Sequence, residues 1–249
     1  MGSFLGLDVG TTTLTALIMD AESGRATSVV TLPNNSQVTS VSDRGLGRSE
    51  WDANRMVELA NEAISDVTTK GGIEGIGVTG QMHGMLLVSA LGKPLSPFIG
   101  WQDRRGAECL PGTNGTYVEK MLDLASRIKA ECRPHAGYLG VSLFWMCNQE
   151  RLPGEPFRAT FLPDFIVSRL TETDPVTDAT NAAGSGLYDT ENRQWHGEYV
   201  EHLKLNLGNL PKVVPSGSLA GTLSDRMSSR TGLPTGLPVY VACGDNQAS

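Results

Sequence analysis

Phe4-Leu5-Gly6-Leu7-Asp8-Val9-Gly10-Thr11-Thr12-Thr13-Leu14-Thr15-Ala16-Leu17-Ile18-Met19 sets two apolar runs on either side of a short hydroxyl-rich turn. That arrangement decides the fold class. The pattern predicts a strand ending at Asp8, a turn from Gly10 to Thr13 and a second strand from Leu14 to Met19. A further turn at Glu22-Ser23-Gly24 and a third strand running to Leu32 complete a β-meander.

Beyond the meander the period changes. Trp51, Val57, Ala60, Ile64 and Val67 recur at helical spacing, with Gly71-Gly72 as the stop. A short strand is expected over Ile76 to Thr79, then the loop Gly80-Gln81-Met82-His83-Gly84. Leu86-Leu87-Val88 and Pro97 to Trp101 read as a hairpin joined through Gly92-Lys93. Helices are expected over Tyr117 to Cys132, Val141 to Arg151 and Pro163 to Leu170, the last with proline in its first turn, where a missing N–H costs nothing. Asp178 to Tyr188 reads as a loop entering a strand, and Pro238 to Cys243 as a buried strand bounded by Pro238 and Gly244. Meander, helices and returning strands together imply an α/β domain with a mixed sheet and flanking helices.

Composition narrows the function. With 39% hydrophobic and 19% charged residues the 249-residue chain is in the globular range. Its net charge of -7 argues against a nucleic-acid surface, which needs clustered Lys and Arg. A compact polyanion such as ATP stays open, because backbone N–H groups, hydroxyls and a metal ion can hold phosphates. Cys109, Cys132, Cys147 and Cys243 show no C-x-x-C spacing, and the histidines form no metal-binding pattern. No signal peptide or membrane-length apolar run is read, so the expected location is the cytoplasm, with no membrane partner.

Three stretches carry candidate chemistry. In Asp8-Val9-Gly10-Thr11-Thr12-Thr13 the turn from Gly10 through Thr13 can direct N–H groups and hydroxyls at one phosphate, while Asp8 can hold Mg²⁺ directly or through water. In Gly80-Gln81-Met82-His83-Gly84 the flanking glycines let the backbone approach a ligand, and Gln81 and His83 offer donors and acceptors suited to sugar hydroxyls. In Gly244-Asp245-Asn246 an acid follows a buried strand, where α/β sheets place ligands. If the strands before Asp8 and Asp245 are parallel neighbours, both carboxylates face one cleft. A fourth stretch, Gly75-Ile76-Gly77-Val78-Thr79-Gly80, matches the dinucleotide fingerprint but not its context, because the match is itself the strand.

Taken together these stretches resemble the FGGY family of carbohydrate kinases, whose fold is the ribonuclease H-like, actin-like ATPase superfold. The first turn is similar to that superfold's phosphate loop, with Thr15 where sugar kinases often carry lysine. The Gln81-Met82-His83 loop resembles that of xylulokinase and sedoheptulokinase, whereas glycerol kinase has Arg-Glu at Met82-His83. The resemblance implies ATP-dependent transfer to a ketose, D-xylulose or sedoheptulose, with Asp245 as general base. It also implies Gln81, Met82, His83, Trp101, Asp103 and Asn246 as sugar contacts, Gly10, Thr11, Thr12 and Thr13 as the ATP-phosphate loop, and Asp8 toward Mg²⁺. On this reading residues 1–249 are an N-terminal sugar-binding domain truncated before an ATP-binding domain, able to bind sugar but inactive alone, and the full-length protein has room to form a homodimer. Glycerol or other polyol kinases, and a non-catalytic actin-like ATPase, are the alternatives.

Overall fold

The computed structural model describes residues 2–67 and 72–248. The meander forms as expected, with β1 (Ser3–Val9), β2 (Thr13–Asp20) and β3 (Ala26–Pro33) joined antiparallel. Strand alternation puts Leu5, Leu7 and Val9 of β1, and Leu14, Ala16 and Ile18 of β2, into the core. On the other side of β1 the strand Ile73–Gly80 runs parallel, with Asp8 opposite Thr79 and Val9 opposite Gly80. Cys243–Gly244 is also parallel to Ile73–Gly80, with Cys243 opposite Thr79 and Gly244 opposite Gly80. Pro238–Tyr240 joins the same strand lower down, and Leu219–Thr222 lies antiparallel at the edge. Among the described residues these make one mixed seven-stranded sheet.

The strands that end at Asp8 and Gly244 are therefore not direct neighbours. Ile73–Gly80 separates them, and the shared register brings both ends level with Thr79 and Gly80. Two strand spacings come to roughly 10 Å, room for a ligand between the two acids. Gly80 lies at the crowded centre of this layer. A side chain there would start 2.6 Å from the Val9 carbonyl and 3.2 Å from Pro163.

Two cores support this platform. The first joins the sheet to helices Ala53–Val67, Leu162–Thr171 and Asp225–Thr231 through Met56, Ile64, Phe165, Ile166 and Met227. The second gathers Met85, Leu87, Ile99, Tyr117, Phe161 and Tyr199 around helices Tyr117–Ile128 and Leu139–Asn148. Each large side chain fully buried there stabilises the fold by roughly 1.5 to 3 kcal/mol. The buried tyrosines satisfy their polar ends as well: Tyr199 Oη donates to Met121 O at 2.8 Å, and Tyr117 Oη accepts from Gln149 at 3.0 Å. Among the described residues no helix is long and apolar enough to cross a membrane.

Several expectations change in detail. Trp51 belongs to the two-residue strand Glu50–Trp51, not to a helix. The helix begins at Ala53 because the Asp52 carboxylate accepts from the N–H groups of Asn54 and Arg55. It runs to Val67; of the expected stop, Gly71 lies outside the described residues. The expected hairpin is present, with Met85 and Ile99 exchanging both backbone bonds, the Leu95 N–H bonded to Leu87 O and the Ser89 N–H to Lys93 O. Each arm also gains an outer partner: Leu86–Ser89 pairs with Phe157–Thr160, and Phe98–Ile99 pairs with Glu50–Trp51. Partners so distant in sequence leave no local signal. The segment read as a loop from Asp178 contains the short helix Ala179–Ala183, capped by Asp178. The apolar run Pro238 to Cys243 breaks into two strands where the Val241 N–H turns to Ser218 O. The dinucleotide-like glycines lie inside the strand Ile73–Gly80, with no helix opening among them.

Candidate functional site

The carboxyl ends of the parallel strands open into a cavity of about 840 Å³, bordered by Gln81, Met82, His83, Trp101, Thr180 and Asp245 among others. The residues singled out around 81, 101 and 245 thus meet at one place, joined there by Thr180 and Gly184.

Its floor is the loop after Ile73–Gly80. His83 sits at φ 75°, and the Gly84 N–H bonds to Met82 O across it at 2.9 Å, forming a γ-turn that few side chains tolerate. Such strain persists only where surroundings hold it, and here they do. His83 Nδ1 lies 3.0 Å from Gly184 O, and its ring stacks on Tyr138 at 4.2 Å with planes 4° apart. A carbonyl oxygen only accepts, so Nδ1 carries the proton. Burial lowers the His83 pKa more than its neighbours raise it, favouring the neutral ring with Nε2 as an acceptor. Gly184 must be glycine for this contact, since a Cβ would lie 2.7 Å from His83 Nδ1.

Beside it, Gln81 is 4% exposed, and neither oxygen nor nitrogen of its amide has a hydrogen-bond partner. An enclosed amide without partners costs about 1 to 3 kcal/mol, a cost that a ligand hydroxyl would remove. Met82 packs its sulfur against Gly244, where a Cβ would come within 2.6 Å.

Asp245 opens the four-residue turn Asp245–Ala248 and is exposed at the rim; its carboxylate accepts from the Asn246 N–H at 2.8 Å. Asn246 also borders the cavity. Asp8 stands beside this cavity at the end of β1, opposite Thr79, and neither Asp8 nor the Gly10–Thr13 turn borders the cavity. Partial burial first, and the negative charge of Asp245 second, raise its pKa. The two acids, 237 positions apart in sequence, therefore feel each other across the strand between them.

The turn after Asp8 is braced from outside. Asn34 donates its side-chain N–H to Gly10 O at 2.9 Å and its backbone N–H to Thr12 O at 2.8 Å. The Gly10 N–H is spent on Thr13 O within the turn, so Gly10 shapes the turn instead of offering a donor. Thr12 and Thr13 are exposed and Thr11 is half-buried. Thr15 pairs its hydroxyl with Thr31 across β2 and β3 at 3.0 Å, so no cation stands where a lysine is usual.

Trp101 is 49% exposed and faces the cavity, which excludes a core role. Asp103 departs from expectation. Its carboxylate is buried and spent on the Ser49 N–H at 2.8 Å, the Arg105 N–H at 2.9 Å and the Arg105 guanidinium at 2.8 and 3.0 Å. No oxygen is left for a sugar, so Asp103 fixes the Trp101 loop instead. Trp101, His83 and Tyr138 also border a second cavity of about 630 Å³ that carries Gln102, Arg104 and His135.

Sequence reasoning missed Tyr138 and Asn34. Tyr138 precedes a helix with no distinctive spacing, and its partner lies 55 positions away. Asn34 lies just past β3, and only the fold brings it under the turn.

Residues 3–249 match the model of the FGGY family of carbohydrate kinases, N-terminal domain. The chain is 25% identical over 226 residues to a xylulose kinase of Staphylococcus xylosus, covering 89% of this chain and 44% of that protein. It is 26% identical over 268 residues to the sedoheptulokinase of Mus musculus, covering 98% and 53%. It is also 28% identical over 229 residues to a glycerol kinase of Thermococcus onnurineus, covering 87% and 44%. Among solved structures, a xyloylose kinase from Brucella ovis superposes with a TM-score of 0.82 at 26% identity, over 99% of this chain and 49% of that one. The chain thus spans about half the length of the relatives it matches.

Proposed function

The chain belongs to the FGGY family of carbohydrate kinases, whose N-terminal domain it matches, and from that premise we propose that it is the sugar-binding half of a kinase that transfers phosphate from ATP to a ketose. The observation that carries the reading is Gln81, an enclosed amide without protein partners, beside the neutral acceptor His83 in a cavity bordered by Asp245. That is a set of groups made for hydroxyls of both hydrogen-bonding senses.

In this mechanism Gln81 donates to one sugar oxygen and accepts from a neighbouring hydroxyl, and His83 Nε2 accepts from another. Trp101 offers an apolar face to the carbon skeleton. Asp245 accepts the proton of the attacking hydroxyl as its oxygen bonds to the terminal phosphorus of ATP, and the bond from that phosphorus to the bridging oxygen breaks to release ADP. The hydroxyls of Thr11, Thr12 and Thr13 meet the phosphate oxygens that gather charge. Asp8 would hold Mg²⁺ directly or through water, and bound Mg²⁺ supplies charge neutralisation on those oxygens. The donor set fits, because Asp8 offers one carboxylate at the end of β1, beside the hydroxyl-rich turn proposed for phosphate. Mg²⁺ commonly needs only one or two carboxylates beside phosphate and water. The remaining ATP contacts fall to a second domain such as a protein of the relatives' length has room for.

Two features support a ketose, and a long one, over glycerol. Met82 and His83 present a thioether and a neutral imidazole. The second cavity continues past the His83–Tyr138 stack toward Gln102, Arg104 and His135, giving carbons beyond the fifth a polar place to lie. The glycerol-kinase likeness keeps a polyol as the second reading. Turnover of ATP by the complete gene product with sedoheptulose, D-xylulose and glycerol separates them. The proposal expects the highest kcat/KM with sedoheptulose, then D-xylulose. Glycerol in first place would replace it, and no turnover of any of the three would end it.

A further inference from the structure

Beneath the cavity wall lies a buried polar relay that the mechanism above does not use. Asp178 is fully buried, and its carboxylate gathers hydrogen bonds from three groups, two on the helix it caps and one on a distant segment. Thr180 Oγ1 lies 2.8 Å from both of its oxygens, the Asn181 N–H donates at 3.0 Å, and Ser216 Oγ donates at 2.6 Å. A threonine hydroxyl has one proton, and here it goes to Asp178. The Thr180 oxygen is thereby left as an acceptor, and the Gly244 N–H donates to it at 2.9 Å. Gly244 is the residue before Asp245.

Asp245 itself has little to hold it. Its carboxylate bond to the Asn246 N–H lies within its own turn and cannot fix where that turn stands against the sheet. Placement has to come from the strand end. Thr79 Oγ1 ties down Cys243 O at 3.0 Å, and Thr180 ties down the Gly244 N–H. The two bonds grip the Cys243–Gly244 peptide from either side, beside the pairing of Gly244 with Gly80, and the second lies nearer the acid.

We propose that Asp178 and Thr180 are positioning residues for Asp245: the buried carboxylate orients the Thr180 hydroxyl, which holds the Gly244 amide and with it the base. This rests on the kinase reading of the same site. Thr180 borders the cavity but has no proton left for a sugar, so its role differs from that of Gln81 and His83.

The test uses the complete gene product with its best ketose. Thr180→Val removes the hydroxyl at nearly constant volume. A small misplacement of a reacting group can cost about 100-fold, so kcat should fall on the order of 10- to 100-fold while KM stays within about threefold. Thr180→Ser should restore kcat. Ser216→Ala, which takes one bond from Asp178 but leaves the Thr180 link, should lower thermal stability without moving kcat. If Thr180→Val does not fold, Asp178→Asn gives the same reading, a kcat loss at unchanged KM. A folded Thr180→Val enzyme with wild-type kcat overturns the inference alone, as does a rise in KM at constant kcat or a serine variant as impaired as valine. A wild-type enzyme that phosphorylates none of the sugars overturns the functional reading and this inference together.

Discussion

The two sides of the crevice are built differently. On the side proposed for phosphate, Asp8 and the Gly10–Thr13 turn lie in one short stretch, with Asn34 as the turn's brace. On the sugar side, Gln81, His83, Trp101, Tyr138 and Asp245 come from well-separated stretches of the chain. Contacts that span 101 positions between His83 and Gly184, 64 between Thr180 and Gly244 and 54 between Asp103 and Ser49 hold that side together. A turn fixed by its own neighbours can serve any phosphate donor. A wall assembled from distant side chains can be reshaped residue by residue, so selectivity belongs there.

That contrast can be broken at several points, and the largest effect belongs to the base. Asp245→Asn in the complete gene product should lower kcat by about 10²- to 10⁴-fold and leave ketose affinity within about threefold. Steady-state kinetics with calorimetric binding checks both, and a kcat within tenfold of wild type would take the base role from Asp245. Next comes the brace of the sugar side. Asp103→Ala leaves Arg105 buried with Glu50 as its remaining acidic partner, and should cost about 3 kcal/mol in urea unfolding. If Asp103 were instead a surface-facing sugar contact, stability would stay put and affinity would drop.

A smaller effect separates the sides by pH. On the proposed reading His83 meets sugar as a neutral acceptor, and burial lowers its pKa, so protonation begins only below the ordinary histidine range. Ketose affinity should be flat from neutral pH upward and fall about tenfold as pH drops through that lowered value, because Nε2 then donates instead of accepts. His83→Gln should bind more weakly and lose this dependence. An affinity that rises on acidification would assign His83 the opposite role. The smallest effect is at Asp8. Its raised pKa means the native state disfavours its charge, so wild type is penalised at pH above the ordinary carboxylate range and the penalty fades as pH falls through the raised value. Asp8→Asn should therefore raise the melting temperature of the metal-free chain slightly at neutral pH, with the gain gone at pH 4, while Mg²⁺–ATP affinity decreases.

The same contrast explains what the sequence disclosed. The meander and the turn after Asp8 were legible because their signals are local: alternating apolar residues, then Gly-Thr-Thr-Thr. Gln81 and His83 were legible as a glycine-bounded loop and Asp245 as an acid past a buried strand, and the FGGY resemblance tied them together. Asp103 was misplaced because a conspicuous acid beside Trp101 says nothing of Arg105 folding back on it or of Ser49 arriving from 54 positions away. Leu86–Ser89 has the neighbour read for it across the glycine turn, but its other partner, Phe157–Thr160, lies too far along the chain to leave a local signal. Tyr138 carried no signal, because stacking on His83 exists only in three dimensions.

The central claim is that ketose hydroxyls occupy the wall formed by Gln81 and His83, with one hydroxyl delivered to Asp245. A crystal structure of this chain soaked with sedoheptulose tests it most directly. The account predicts Gln81 bonded through both amide atoms, His83 Nε2 accepting a hydroxyl, and a sugar oxygen within about 3 Å of Asp245. A sugar seated elsewhere, with the Gln81 amide still without a partner, would contradict it.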